Sequence, residues 1–173
     1  LHVGIGANGK STILYALQKM LGNYTALLSP DLLVKSKTAK EITRIPIKLK
    51  GKRVGIIEDA LTDNHFDPMF LKTLTSETMV GRALYAEEEN ITNHTKIHVA
   101  LNNMPELNGG DMASERRLCV IPYLADFSEK RSDFSVIDFI DNSLPEILHW
   151  AMIGYKRCME RYEKTQTYLN YNI

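Results

Sequence analysis

One stretch near the start of the 173-residue chain decides the fold: Gly4-Ile5-Gly6-Ala7-Asn8-Gly9-Lys10-Ser11-Thr12. It fits the pattern G-x-x-x-x-G-K-[ST], the phosphate-binding P-loop, in which glycines let several backbone N–H groups converge on an anion. A side chain at Gly4 or Gly9 is expected to crowd the phosphate or to force a disallowed φ. Lys10 would reach the β- and γ-phosphates of a nucleotide, and the Ser11 hydroxyl would bind Mg²⁺.

The residues on either side of the loop predict the two elements that a P-loop requires. Leu1-His2-Val3 predicts the end of a buried strand, and residues 12–21 have apolar side chains at helical spacing. Gly22 follows as a typical helix stop. A bound anion would then lie at the helix N-terminus, where the macrodipole favours negative charge. The alternative is a chance Gly-rich turn, which the lysine, the hydroxyl and both flanks disfavour.

The composition is that of an ordinary globular protein, 44% hydrophobic and 24% charged with a formal net charge of zero. Affinity for nucleic acid would therefore come from local patches. Cys119 and Cys158 are far apart and predict neither a metal site nor a disulfide framework, as in a reducing compartment. Without a signal peptide or a membrane-length apolar run, we expect a cytoplasmic protein with no membrane partner. Because the chain begins at Leu1 inside a predicted strand, we expect it to be cut from a longer protein.

A basic stretch precedes the second predicted strand. Between residues 35 and 53 a single acid, Glu41, is outnumbered by basic residues, which are Lys35, Lys37, Lys40, Arg44, Lys48, Lys50, Lys52 and Arg53. The stretch is either a surface that follows a phosphate backbone or a solvated face or loop. Residues 31–40, which overlap the start of this stretch, predict a short helix.

The second strand is predicted over Arg53–Ile57, an apolar and β-branched run typical of a buried parallel strand. It ends in Glu58-Asp59. In P-loop proteins, acids at such a strand end hold Mg²⁺ or its water and orient the attacking water. Adjacent side chains on a strand point to opposite sides, so one would face the metal and the other the γ-phosphate or water. The alternative is a strand end that simply meets solvent.

A hairpin is predicted next, leading into a third core strand. Residues 79–86 have strand character, residues 87–93 form a polar turn region, and residues 95–101 alternate before becoming fully apolar. A short helix over residues 66–74, which carries Lys72, precedes them.

Two further sites follow the third strand. Asn102 either contacts the γ-phosphate or the attacking water, or only caps the turn before Pro105. Arg116 and Arg117 precede a last predicted strand over residues 118–121. This pair is either an arginine finger that reaches a neighbour's nucleotide or a surface pair bound to nearby acids.

The C-terminal part is predicted to be helical. Residues 136–142 form a short helix, a longer one starts at Ser143, and the tail from residue 157 is partly frayed. We therefore expect a P-loop core over residues 1–125 and a helical segment over residues 126–173.

Taken in order, these motifs resemble the superfamily 3 helicases, most closely the phage and plasmid primase-helicase family, to which poxvirus-type primase-helicases are related. The matching motifs are Gly6-x-Asn8-Gly9-Lys10-Ser11-Thr12, Leu49-x-Gly51-Lys52-Arg53 before Glu58-Asp59, Leu71-Lys72-x-Leu74-Thr75, Arg82-Ala83-Leu84-Tyr85, Ala100-Leu101-Asn102-x-x-Pro105, Asp111-x-Ala113-x-x-Arg116-Arg117, and Leu144-Pro145-x-Ile147-Leu148-x-Trp150-Ala151. An ordered set of this kind is far more specific than a single motif.

The resemblance implies an α/β, AAA+-like P-loop fold with a mostly parallel central sheet, a β-hairpin insertion and a C-terminal helical segment. It also implies ATP and Mg²⁺ as cofactors. ATP would lie against Gly4, Gly6, Ala7, Asn8, Gly9, Lys10, Ser11 and Thr12, and Mg²⁺ against Ser11, Glu58 and Asp59. Asn102 would sense the γ-phosphate, and Arg116 or Arg117 would act on a neighbour's nucleotide.

The implied partners are DNA, further copies of the chain in a hexameric ring, and an upstream primase domain. Hydrolysis would move the hairpin after Arg82 through the ring and pull on one strand. The turn, however, holds Glu87, Glu88 and Glu89 where a DNA-contacting tip would carry Lys or His. The candidate DNA contacts are Lys72, Arg82, His94 and Lys96. A second departure is Ser76-Glu77-Thr78, where the family has two small residues and an aspartate.

Two other functions are compatible with a P-loop. One is a small-molecule kinase, in which the paired arginines would belong to a lid. The other is an ATP-dependent DNA clamp or loader that does not unwind DNA. The hairpin and the Asn102 position favour the helicase over the kinase, whereas the P-loop itself is shared by all three.

Overall fold

The structure is a computed structural model, and it describes residues 1–30, 39–58, 68–104, 116–129 and 135–165. A short 3₁₀ turn over Gly22–Tyr24 follows the first helix. In chain order the helices and strands are β1 (His2–Val3), α1 (Lys10–Leu21), β2 (Thr25–Leu27), α2 (Ala39–Leu49), β3 (Val54–Ile57), α3 (Pro68–Leu74), β4 (Thr78–Arg82), β5 (Glu88–Thr92), β6 (Lys96–Leu101), β7 (Ile121–Pro122), α4 (Ser135–Asn142) and α5 (Leu144–Thr165).

A five-stranded parallel sheet in the order β2-β3-β6-β1-β7 forms the centre of the fold. His2 of β1 pairs with Ala100 of β6 on one side and with Ile121 of β7 on the other. Because the strands are parallel, their carboxyl ends lie at one edge, which is where open α/β sheets bind ligands. The α/β fold with a mostly parallel sheet is the one predicted from the sequence.

The core lies on both faces of this sheet, and β3 is buried along its whole length. Ile56 packs with Leu14 of α1 on one face, whereas Ile57 packs with Leu74 of α3 and Met79 on the other. Successive residues of a strand point to opposite faces, so a strand covered on both sides reads as an unbroken apolar run. This is why residues 53–57 could be predicted as a strand.

The second strand of the hairpin differs from the prediction. Strand β4 pairs antiparallel with β5, with Thr78 opposite Thr92 and Arg82 opposite Glu88, and the turn occupies residues 83–87. The prediction of a polar turn over residues 87–93 was therefore wrong for β5. Ile91 is the one fully buried residue of β5, so the backbone ladder, rather than an alternating apolar pattern, defines this strand.

Helix α2 also differs from the prediction. It covers Ala39–Leu49 and contains Pro46, whereas the predicted helix over residues 31–40 lies mostly outside the described residues. Proline removes a helical hydrogen bond and usually ends a helix, which is why no helix was predicted here. Pro46 is fully buried beside Ile45 and Leu49, and burial in the core accounts for its tolerance.

The last strand is shorter than predicted. It comprises Ile121–Pro122 rather than residues 118–121. Within the described sheet β7 is at the edge, and the backbone N–H groups of Ile121 and Tyr123 donate to the carbonyls of Leu1 and Val3. Pro122 lies between these two donors, so its missing N–H removes no bond from the ladder.

The C-terminal helices pack on α1. The Tyr15 hydroxyl donates to the Asp141 carboxylate at 3.0 Å, and Lys19 lies 3.5 Å from the same carboxylate. Helix α4 agrees with the prediction, whereas α5 continues to Thr165 through residues that we expected to be frayed. None of the helices in the described ranges combines the length and apolarity needed to cross a membrane.

Two glycine-to-alanine substitutions test the packing of the hairpin on α2. A Cβ at Gly81 would lie 2.7 Å from the Ile91 side chain and 3.0 Å from Cβ of the rigid Pro46, whereas a Cβ at Gly154 in α5 meets nothing within 4 Å. We expect Gly81→Ala to lower the free energy of unfolding by about 1–2 kcal/mol through overpacking. The control Gly154→Ala should raise it by about 0.5–1 kcal/mol, because alanine favours helix. Urea unfolding measures both, and a Gly81→Ala protein as stable as the parent would contradict this packing.

Candidate nucleotide-binding site

The P-loop connects the carboxyl end of β1 to α1. Its backbone turns back at Ala7 and Gly9, whose φ angles are 57° and 85°. The left-handed region is costly for most residues but open to glycine, so the predicted need for glycine at position 9 is confirmed. The Gly9 carbonyl then accepts the Ile13 N–H at 3.1 Å, and this bond starts the helix. The N–H groups before Ile13 have no carbonyl partner within the helix.

Gly4 is needed for a different reason from the one predicted. A Cβ at this position would lie 2.5 Å from the backbone oxygen of Tyr123 and would also overlap the Asn8 amide. The crowding therefore comes from the segment that follows β7 and from the loop itself, rather than from a phosphate. Gly4 lets the strand end and that segment approach each other closely.

Lys10 lies at the floor of the loop. It is only 7% exposed, and its ammonium donates to the Gly4 carbonyl and, at 3.0 Å, to Oδ1 of Asn8. Both of these partners are neutral. A buried ammonium is costly without an anion beside it, so the surroundings of Lys10 are suited to a phosphate.

A cavity of about 270 Å³ opens beside Lys10, and its lining is mainly the loop itself. The described residues that line it are Gly6, Ala7, Asn8, Gly9, Lys10, Ser11, Thr12, Ala100 and Asn102. The predicted loop residues, with the exception of Gly4, thus surround one small polar space. Asn102, predicted from the end of β6, lies in the same lining because β6 is the direct neighbour of β1.

The predicted metal ligands are only partly described. Ser11 lines the cavity, and Glu58 is exposed at the carboxyl end of β3, one strand beyond β6. Asp59 lies outside the described residues. Hydroxyl and carboxylate oxygens are the ligands that Mg²⁺ prefers, so the donors present fit this ion.

The paired arginines lie away from the cavity of their own chain. Arg116 and Arg117 are exposed and precede the amino end of β7. Arg117 lines a different cleft together with Leu1 and Lys96, which mark the amino ends of β1 and β6. In a parallel sheet this edge is opposite the P-loop edge. The geometry therefore separates Arg117 from the nucleotide site of the same copy.

The candidate DNA contacts do not form one group. Arg82 lies at the hairpin turn, where its Nε donates to the Ala86 carbonyl at 2.9 Å, and Lys72 is exposed on α3. His94 and Lys96 follow β5, at the end of the hairpin away from its turn. The tip instead presents Tyr85, which is 97% exposed.

A partly buried chain of polar side chains next to the P-loop strand was missed by the sequence analysis. The two ring nitrogens of His2 hydrogen-bond to the Tyr123 hydroxyl and to Nδ1 of His98, both at 2.9 Å, and link β7, β1 and β6. Burial, followed by the proximity of His98, lowers the pKa of His2 to about 4, and burial also lowers the pKa of His98 and raises that of Tyr123. The only sequence signal was the presence of polar residues in predicted core strands.

Comparison with known sequences finds one protein family and two viral relatives. The profile of a family described as "Family of unknown function (DUF5906)" matches residues 2–117. The chain is 29% identical over 126 residues to "Putative helicase L207/L206" of Acanthamoeba polyphaga mimivirus, and 27% identical over 133 residues to "Putative helicase 022R" of Frog virus 3 (isolate Goorha). Each alignment covers 72% of this chain, which spans 13% of the length of either relative.

Comparison with solved structures concerns the fold. The A form apo structure of the NrS-1 C terminal region superposes with a TM-score of 0.61 at 17% identity, over 83% of this chain and 33% of that one. Another apo structure of this region gives a TM-score of 0.60 at 19% identity, over 82% and 33%. These matches confirm the AAA+-like α/β fold. The putative-helicase names of the two viral relatives agree with the resemblance to superfamily 3 helicases.

The lowered pKa of His2 makes stability depend on pH. The folded-state pKa of about 4 is below the unfolded value of 6.5, so the unfolded chain binds the proton first as the pH falls. Stability should be full above pH 6.5 and decline between pH 6.5 and 4. We expect His2→Gln, which keeps a hydrogen-bonding side chain but cannot titrate, to reduce the loss of unfolding free energy between pH 7 and pH 5.

Urea unfolding at the two pH values measures this loss. His149→Gln, a change at an exposed position of α5, is the control and should behave like the parent. An equal loss in the His2→Gln and parent proteins would show that the buried histidine does not contribute.

Proposed function

We propose that this chain, which belongs to the family of unknown function DUF5906, is the ATP-hydrolysing motor part of a DNA helicase. One observation carries the proposal: Lys10, Ser11 and Asn102 line one small polar cavity at the carboxyl edge of the sheet. Strand β6, which Asn102 follows, also lies between the P-loop strand β1 and strand β3, which Glu58 follows. Phosphate-binding, phosphate-sensing and acidic groups are therefore brought to one edge.

Each residue has a defined role in this proposal. Lys10 exchanges its contacts with Gly4 and Asn8 for the β- and γ-phosphates of ATP, and the backbone N–H groups of the loop hold the remaining phosphate oxygens. Ser11, Glu58 and Asp59 hold Mg²⁺, which neutralises phosphate charge when it is bound. Asn102 orients the attacking water or contacts the γ-phosphate.

The position of the arginines supports an assembly. Arg117 lies at the sheet edge opposite its own P-loop, next to Arg116, so in an assembly these arginines would face an adjacent copy rather than the nucleotide of their own chain. We propose a hexameric ring around DNA, with ATP at each interface and the hairpin facing the channel. The same placement disfavours the kinase alternative, in which the arginines would close over the cavity of their own chain.

The whole protein is proposed to be larger than this chain. The viral relatives are much longer than the segment that they share with it. We infer an upstream primase domain and a role in DNA replication in the cytoplasm of an infected cell. The division into a core over residues 1–125 and a helical segment over residues 126–173 is part of the same proposal.

Loss of the P-loop lysine tests the nucleotide site. We expect Lys10→Ala in the complete protein to lower DNA-stimulated ATP turnover by about 10²-fold or more, because an interaction with the charge of the transferring phosphoryl group is lost. Lys19→Ala, on the exposed face of the same helix, is the matched control and should retain turnover. Undiminished hydrolysis by Lys10→Ala would remove the basis of the proposal, and hydrolysis without strand separation by the parent would favour a clamp or loader.

Mixed oligomers test action between copies. Arg116→Ala/Arg117→Ala and Lys10→Ala proteins should each be inactive alone, since a finger contributes about 10³-fold or more to the rate. Mixing them should restore some ATP turnover, because at some interfaces an intact P-loop meets intact arginines. Mixing two Lys10→Ala preparations is the control and should restore none. Mixed oligomers that assemble without any rescue would contradict action in trans.

A further inference from the structure

The segment that follows β7 lies across the P-loop, and we name Tyr123–Ser128 the rim segment. Its first residue donates a backbone N–H to Val3 at 2.7 Å, and its backbone oxygen lies 3.4 Å from the Asn8 amide nitrogen, which donates to it. Further along, the Phe127 N–H donates to the Ala7 carbonyl at 2.8 Å. The rim segment is therefore attached to the loop at both of its ends.

The Phe127 ring lies beside the loop as a result. The atom nearest to the position of a Cβ on Gly9 is Cε2 of this ring, at 3.9 Å. The residue is 46% exposed, so one part of the ring is covered and another faces solvent. A second hydrogen bond restricts the backbone around Phe127, because the Ser128 N–H donates to Oδ1 of Asp126 at 2.8 Å. The hydrogen bond from Phe127 to Ala7 therefore places the ring beside Gly9, which is one of the residues that line the phosphate cavity.

The chemistry of the cavity leaves the base of a nucleotide to be accommodated elsewhere. The cavity of about 270 Å³ is lined by loop backbone, Lys10, Ser11 and Asn102, which suit phosphates. The nucleoside must extend beyond this lining. Aromatic rings bind bases by stacking, and every base has a face that can stack. An aromatic ring next to Gly9 is the kind of surface that this part of the ligand requires.

We propose that Phe127 is the stacking platform for the base of the bound nucleotide. This inference rests on the proposed function, because it places the phosphates of the same nucleotide in the P-loop. Stacking is tolerant of base identity, so the platform contributes affinity for ATP and GTP alike. It also gives the Phe127–Ala7 hydrogen bond a role, since that bond sets the distance between the platform and the phosphate site.

A comparison of two ligands tests the platform in the complete protein. Binding of Mg·ATP and of inorganic Mg·tripolyphosphate, which has no base, is measured by calorimetry for the parent, Phe127→Ala, Phe127→Leu and Phe127→Trp proteins. Phe127→Leu keeps apolar volume without a π-face, and Phe127→Trp keeps the π-face. Phe139→Ala, at an exposed aromatic residue of α4, is the matched control, and thermal unfolding checks that each variant is folded.

We expect Phe127→Ala and Phe127→Leu to weaken ATP binding by about tenfold and to leave tripolyphosphate binding unchanged. Phe127→Trp and Phe139→Ala should bind both ligands like the parent. An equal loss for both ligands, or no loss for ATP, would overturn the platform while leaving the proposed function intact. A parent protein that binds neither ligand would overturn the proposed function and the platform with it.

Discussion

The parallel pairing of β1 with β6 on one side and β7 on the other is the constraint on which the site depends. Val3 is level with Leu101 and with Pro122 in the two ladders. The next residues along the three strands, Gly4, Asn102 and Tyr123, therefore leave the sheet at the same height. A slip of one residue would displace one of them by about 3.3 Å and turn its side chains to the other face.

Polar groups reinforce this register from within. Hydrogen bonds join His2 to Tyr123 and to His98, and they can form only when the three strands are aligned as observed. Buried polar side chains must find partners, and a satisfied network narrows the arrangements that a core can adopt. Lys10 is positioned in the same way by polar contacts. The Gly4 carbonyl and the side-chain oxygen of Asn8 accept hydrogen bonds from its ammonium and hold it next to the cavity. The site is thus supported by a layer of polar contacts as well as by the apolar core.

The separation of Arg117 from the P-loop of its own copy gives the proposed motor its dependence on assembly. Within that proposal the hairpin is connected directly to the nucleotide site, because β5 leads through a short link into β6, and Asn102 follows the last residue of β6. The hairpin is also supported by α2, against which Gly81 of β4 packs. Asn102, which is proposed to contact the γ-phosphate, and the projecting hairpin with Tyr85 at its tip are therefore joined through β5 and β6.

The sequence by itself determined the features whose causes are local. The left-handed φ of Gly9 requires glycine, an unbroken apolar run identifies β3, and the spacing of polar residues after β3 and β6 indicates Glu58 and Asn102. Only the tertiary structure decided the features whose causes lie in distant residues. Strand β5 has a single buried side chain, so only its pairing with β4 identifies it as a strand. Pro46 remains in a helix because the core covers it. Phe127 reaches Gly9 through a hydrogen bond to Ala7, 120 residues earlier, and contacts of this kind leave no periodicity or motif for a sequence to reveal.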